Sequence, residues 1–328
     1  MKIGKVPPYV LRELVFNTIK NQRNEIILGP GIGEDCSAIR LKDDEIFLVS
    51  TDPITGAVED AGYLAVHVSC NDIASSGGEP IGILLTILLP ETSSAEQLHR
   101  FMKDAEKAAN EVNIEIIGGH TEITDAVNRP VISSTAIGKV HKDQIVYTNN
   151  AKIGQDIIMT KWAGLEGTTI LAKDFEKELS SQFSKEFLEN AQSLNKSLSV
   201  VPEGRIAAQY GATSMHDATE GGILGAVWEI AEASNVGVEI FLDEVPVKKE
   251  TVDICKHFGI SPYKLISSGC MIITAFEGQK LIDILKKNDI DAKIIGRITH
   301  KDRVYRHNNL IIPLEQPDTD ELYKVIAK

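Results

Sequence analysis

Along the chain the apolar positions change period repeatedly, and each change marks an element. Residues 45–50 (Glu-Ile-Phe-Leu-Val-Ser) form a short β-branched and aromatic run that predicts a strand. Residues 60–76 place Ala61, Leu64, Ala65, Val68 and Asp72 on one stripe at spacings of three and four, which predicts a helix stopped by Gly77-Gly78. The unbroken apolar run 81–89, ended by Pro90, predicts a buried strand and is too short to span a bilayer. A helix follows over 95–112, with Ser93 or Ser94 as its cap, then strands over 115–117 and 131–140. Polar Asn149-Asn150 precedes a fresh strand at 156–160 and marks a boundary between domains 1–150 and 151–328. The second half reads as helices to about Tyr210, a strand, and a helix from Gly222. Strand 238–242, helix 248–258, strand 271–276, helix 279–287 and strand 293–298 then follow. This alternation predicts an α/β domain followed by an α+β domain.

Composition narrows the classes. A chain of 328 residues with 43% hydrophobic and 25% charged residues is an ordinary globular one, too long for a single core. Its net charge of −13, without any Lys/Arg-rich block, excludes nucleic acid as a partner. A nucleotide stays open, because Mg²⁺ and local amides offset phosphate charge. Residues 1–16 lack the apolar core and cleavage site of a signal peptide. Cys36, Cys70, Cys255 and Cys270 have no metal-ligand spacing. A cytoplasmic protein with reduced thiols and no membrane attachment is expected.

Five strings carry candidate chemistry. Gly29-Pro30-Gly31-Ile32-Gly33-Glu34-Asp35 can turn backbone N–H groups toward a phosphate and offer an acid to its metal, although a plain tight turn has the same composition. Asp52 lies at the end of the strand 45–50, where ligands meet α/β sheets, and equally suits a turn before Pro53. Asp72 continues an apolar helix stripe with Asn71 beside it; a carboxylate there needs a cation or several donors, unless the helix end exposes it. Gly118-Gly119-His120-Thr121-Glu122 follows the strand 115–117 and offers close backbone approach, a base, a hydroxyl and a carboxylate. His216-Asp217-Ala218-Thr219-Glu220-Gly221-Gly222 runs from a strand into a helix, with Thr219 as candidate N-cap and free amides to receive an anion. Gly164-Leu165-Glu166-Gly167 is expected to form an opposite wall.

In this order the strings resemble the AIR synthase-like (PurM-like) superfamily, and the stretch 215–240 is most similar to the hydrogenase-maturation HypE type. The resemblance implies a two-domain PurM-like fold, an α/β first domain that dimerises through its strands, and ATP with Mg²⁺. Carried over by position, Asp35, Asp52 and Asp72 become metal–phosphate ligands supported by Asn71. Gly31, Gly33, Gly118, Gly119 and Thr121 become phosphate-loop positions. Thr219, Gly221 and Gly222 face the acceptor or a phosphate, and Asp72, His120 and Asp217 serve catalysis. The implied chemistry is phosphorylation of an amide-like or other small oxygen acceptor, with dehydration in the HypE and AIR synthase branches. The chain departs from the HypE pattern at His120 and Glu220, and its last cysteine is Cys270 rather than one in a terminal tail. A HypE-like paralogue acting on another small acceptor is therefore expected. A hydrogenase-maturation factor, AIR synthase proper and a non-catalytic nucleotide-binding scaffold are the alternatives.

Overall fold

The computed structural model describes residues 4–5, 8–29, 38–54, 60–308, 310–316 and 319–326. They form two compact units, residues 1–73 with 78–143 and residues 74–77 with 144–328. The expected loop positions Gly31, Gly33 and Asp35 lie outside the described residues.

The strands of the first unit are β1 (Gly4–Lys5), β2 (Ile26–Leu28), β3 (Ala38–Ile39), β4 (Glu45–Ile54), β5 (Glu79–Leu89), β6 (Glu115–Ile123) and β7 (Val131–His141). Its helices are α1 (Pro8–Val10), α2 (Ala61–Ser75) and α3 (Ala95–Val112). Five strands make one sheet in the order β1-β6-β5-β7-β4, and β2 pairs with β3 separately. The apolar run of β5 is central, parallel to β6 and antiparallel to β7. Its burial on both faces explains why it shows no alternation. Helix α3 starts where the Ser94 hydroxyl accepts from Gln97 N at 3.2 Å, and it ends at left-handed Asn113. Leu98, Phe101, Met102 and Ala105 give it a buried face at helical spacing. Helix α2 differs from its expected one-sided stripe. It is buried almost all round, and Val68 and Asp72 lie among its few partly exposed positions. The stripe assigned to the core is thus buried at Ala61, Leu64 and Ala65 and partly exposed at Val68 and Asp72. The helix carries so few charged residues that periodicity could not tell its faces apart.

The second unit adds β8 (Asp156–Thr160), β9 (Ser214–Asp217), β10 (Gly237–Phe241), β11 (Met271–Ala275), β12 (Ala292–Thr299), β13 (Arg303–His307) and β14 (Leu310–Pro313). They form a seven-stranded sheet in the order β14-β13-β10-β12-β8-β11-β9, with β10 and β13 parallel. Its helices are α4 (Leu165–Asp174), α5 (Glu176–Leu179), α6 (Lys185–Gln192), α7 (Val201–Gln209), α8 (Gly222–Ala233), α9 (Lys249–Phe258), α10 (Gly278–Lys286) and α11 (Tyr323–Ile326). Ile223, Val227 and Ile230 of α8 pack with Ile157, Ile240, Ile272 and Ile295 of the sheet in one core. That burial holds the start of α8 at the end of β9. Among the described residues no helix is long and apolar enough to cross a membrane.

Candidate functional site

In the first unit the acids belong to a polar seam between α2 and the edge of the sheet. Strand alternation turns Ser50 and Asp52 of β4 to one side. The Ser50 hydroxyl donates to Asp72 Oδ2 of α2. The Ser134 hydroxyl of β7 lies 2.8 Å from both the Ser69 hydroxyl and the Ala65 carbonyl oxygen of α2. Helix and sheet are therefore fastened by hydroxyls on either side of the two carboxylates. Asp52 Oδ2 is buried and has no hydrogen-bond partner. Asn71 is fully buried.

The string Gly118–Glu122 is placed differently from its expected position after a strand. Strand β6 runs on to Ile123, so all five residues are within it. Gly119 has φ +144° and its Cβ would sit 1.9 Å from the Leu85 carbonyl oxygen, so the parallel neighbour β5 requires glycine there. Thr121 is buried, whereas exposed His120 sets its Nε2 3.2 Å from Glu122 Oε2. Sheet register places Gly119, Leu85, Ser134 and Asp52 in one row across β6, β5, β7 and β4. Three strand spacings separate the ends of that row by roughly 14 Å. Asp52 and Gly119 thus share one level of the sheet without forming one cluster.

In the second unit Asp217 ends β9, buried, and accepts from the Ser75 hydroxyl at 3.2 Å. His216 beside it pairs with Glu229 at 2.7 Å. Thr219 is not the N-cap. Gly221 holds that position, and the Thr219 carbonyl accepts from Gly222 N at 3.0 Å. Gly222 has φ +62°, and a Cβ would meet the carbonyl oxygens of Tyr263 and Leu265 at 2.7 Å. Tight packing explains this glycine. The Gly221 amide, expected to receive an anion, donates to Asp320 Oδ2 at 2.7 Å. Asp320 also accepts from Ile266 and Leu322. Burial holds its carboxyl above the usual range, with those amides pulling it down and Glu220 pushing it up.

The string Gly164–Gly167 lies at the start of α4. Loop 265–268 meets the starts of both α4 and α8: Gly164 N donates to Ser267 Oγ at 2.7 Å, and Ser267 N donates to the Thr219 carbonyl. Glu166, in the first turn of α4, is buried with Oε2 making no hydrogen bond. Burial pushes its carboxyl up to about 7, against the Ser268 hydroxyl and with Asp320, Glu220 and Asp217 adding to the rise. Three participants escaped sequence reasoning. Ser50 carried a signal, the period of two that aligns it with Asp52, and Glu166 stood within a quoted string without a role. Asp320 carried none, being 99 residues from its partner.

Comparison with known proteins shows the family of both halves of the chain. A family model described as AIR synthase related protein, N-terminal domain, matches residues 33–140, and the C-terminal domain model matches residues 152–307. A Methanocaldococcus jannaschii protein named for hydrogenase expression/formation is 29% identical, over 92% of this chain and 90% of its own. The selenide, water dikinase of Clostridioides difficile is 25% identical, over 92% of this chain and 94% of its own. The crystal structure of hydrogenase maturation protein HypE in complex with ATP matches with a TM-score of 0.77 at 20% identity, covering 96% of this chain and 95% of that one. The fold is therefore the two-domain PurM-like one seen in HypE.

Proposed function

The chain belongs to the AIR synthase related protein family, and from that premise we propose that it is a cytoplasmic, ATP- and Mg²⁺-dependent enzyme that phosphorylates an amide-like or other small oxygen acceptor. Dehydration of the phosphorylated acceptor is the second step this reading includes. Asp52 carries the proposal. A buried carboxylate oxygen without a donor is costly, and a cation removes that cost. Asp52 and Asp72 fit Mg²⁺, which takes oxygen ligands, keeps several waters and needs only one or two carboxylates besides substrate phosphates. Among the described residues no cluster of three His, Cys, Asp or Glu offers a fuller cage. The bound ion would supply neutralisation of phosphate charge.

The chain's own groups do the positioning. Ser50 orients Asp72, and Ser134 ties α2 to the strand beside β4. The relative solved with ATP supports nucleotide binding, which this reading assigns to the first unit. Asp35, Gly31 and Gly33 belong to the proposal as further phosphate and metal positions, and Gly118, Gly119, Thr121 and His120 as its far side. Asp217, Thr219, Gly221 and Gly222 remain proposed acceptor-side positions, acting through side chains and carbonyls where their amides are already engaged. Among the described residues Cys70, Cys255 and Cys270 are buried, which supports a small acceptor rather than any of these three thiols. A homodimer through the first domain, and a domain division near residue 150, complete the reading.

ADP release with Mg·ATP tests it, with and without a pool of small amides, carbamoyl compounds and phosphorylated metabolites. Wild type is expected to respond to at least one pool member, and Asp72→Asn to lose about a hundredfold or more of that rate. ATP binding without turnover under every condition would instead favour the scaffold, and no ATP binding would refute the acidic site.

A further inference from the structure

Residues 319–326 bring several anchors to one place in the second unit. Asp320 is 2% exposed, and it accepts from Gly221 N at 2.7 Å, Leu322 N at 2.8 Å and Ile266 N at 3.2 Å. The Tyr323 hydroxyl donates to Glu220 at 2.8 Å, and Leu322 and Val325 are buried. One carboxylate thus ties the start of α8 to the loop before β11, across 99 and 54 residues of chain. Glu166 lies among the same groups, its Oε2 buried and without a hydrogen bond. Asp320, Glu220 and Asp217 face it with like charge, along with the hydroxyls of Ser268 and Tyr323. His216 stands behind Asp217 at 4.0 Å, and Lys324 is engaged with Glu321.

We propose, resting on the reading of the second unit as the acceptor side, that Asp320 is a positioning residue whose docking sets the Asp217–Gly222 string, and that a proton on Glu166 keeps it docked. While Glu166 is neutral, the amides serve a single carboxylate. Once Glu166 ionises, a second buried carboxylate, with only the Ser268 hydroxyl to answer it, repels the first. The docked segment then loosens, and with it the start of α8. Burial of Glu166 brings this change close to neutral pH.

Hydrogen exchange on the full chain tests this without depending on turnover. After correction for the chemical rate, exchange at Gly221, Ile266 and residues 320–326 rises together by about tenfold in wild type between about pH 6 and about pH 8. Glu166→Gln keeps the slow exchange at both pH values. Asp320→Asn exchanges fast at all three places at both, while β8 and β11 stay protected. Identical pH profiles for wild type and Glu166→Gln would overturn the proposal, as would an Asp320→Asn effect spread evenly through the unit. A wild type that turns over no ATP would remove the functional reading alone, leaving the exchange result to stand.

Discussion

A single carboxylate atom in the first unit sets stability against function. Asp52 Oδ2 is buried without a donor, so the ion-free protein carries an unfavourable charge. Asp52→Asn is expected to raise the ion-free stability of the protein by about 1 kcal/mol and to abolish its stabilisation by Mg²⁺. Thermal melts with and without the ion check both. Glu166 makes stability depend on pH. Its carboxyl is raised from 4.5 to about 7, so its favourable contribution is present below about 4.5 and is lost as pH rises through about 7. The loss amounts to about 3 kcal/mol, and urea unfolding of Glu166→Gln should show a correspondingly flatter pH profile. Sequence reading reached Asp52, Asp72 and Asp217 because each stands on or beside a patterned strand or helix, although β4 runs past Asp52 to Ile54 instead of ending before it. It had no access to Asp320 or Ser134, whose importance comes from pairing across the fold.

At the scale of elements, local signals located most strands and helices, because their caps and periods are themselves local. Ser94 caps α3 as its position suggests, and Ser94→Ala should cost about 1 kcal/mol by denaturant titration. The glycine pairs were legible as special backbone but not for their reason. Gly119 is required by β5 and Gly222 by the loop at Tyr263–Leu265, contacts that no sequence window contains. Gly222→Ala combines a left-handed backbone with a 2.7 Å encounter and should destabilise the second unit by about 2–3 kcal/mol. The hairpin of β13 and β14 was missed altogether, since its short, mixed polar and apolar strands carry neither period over enough residues.

At the scale of the whole molecule, two features of unlike kind govern behaviour in solution. Strand β4 is an edge strand whose Phe47 and Val49 are exposed on one face, 49% and 62% respectively. In the proposed homodimer that face is covered, so Val49→Asp should shift sedimentation toward the monomer at micromolar concentration. The link from Gly221 to Asp320 governs time rather than affinity. At about 5–20 residues per second, a ribosome needs about 5–20 s to make the stretch between them. For that interval the growing chain holds β9 and the first turn of α8 with one amide still waiting for its acceptor. The start of α8 is thus completed only after residue 320 has been made, nearly a hundred residues after its own synthesis.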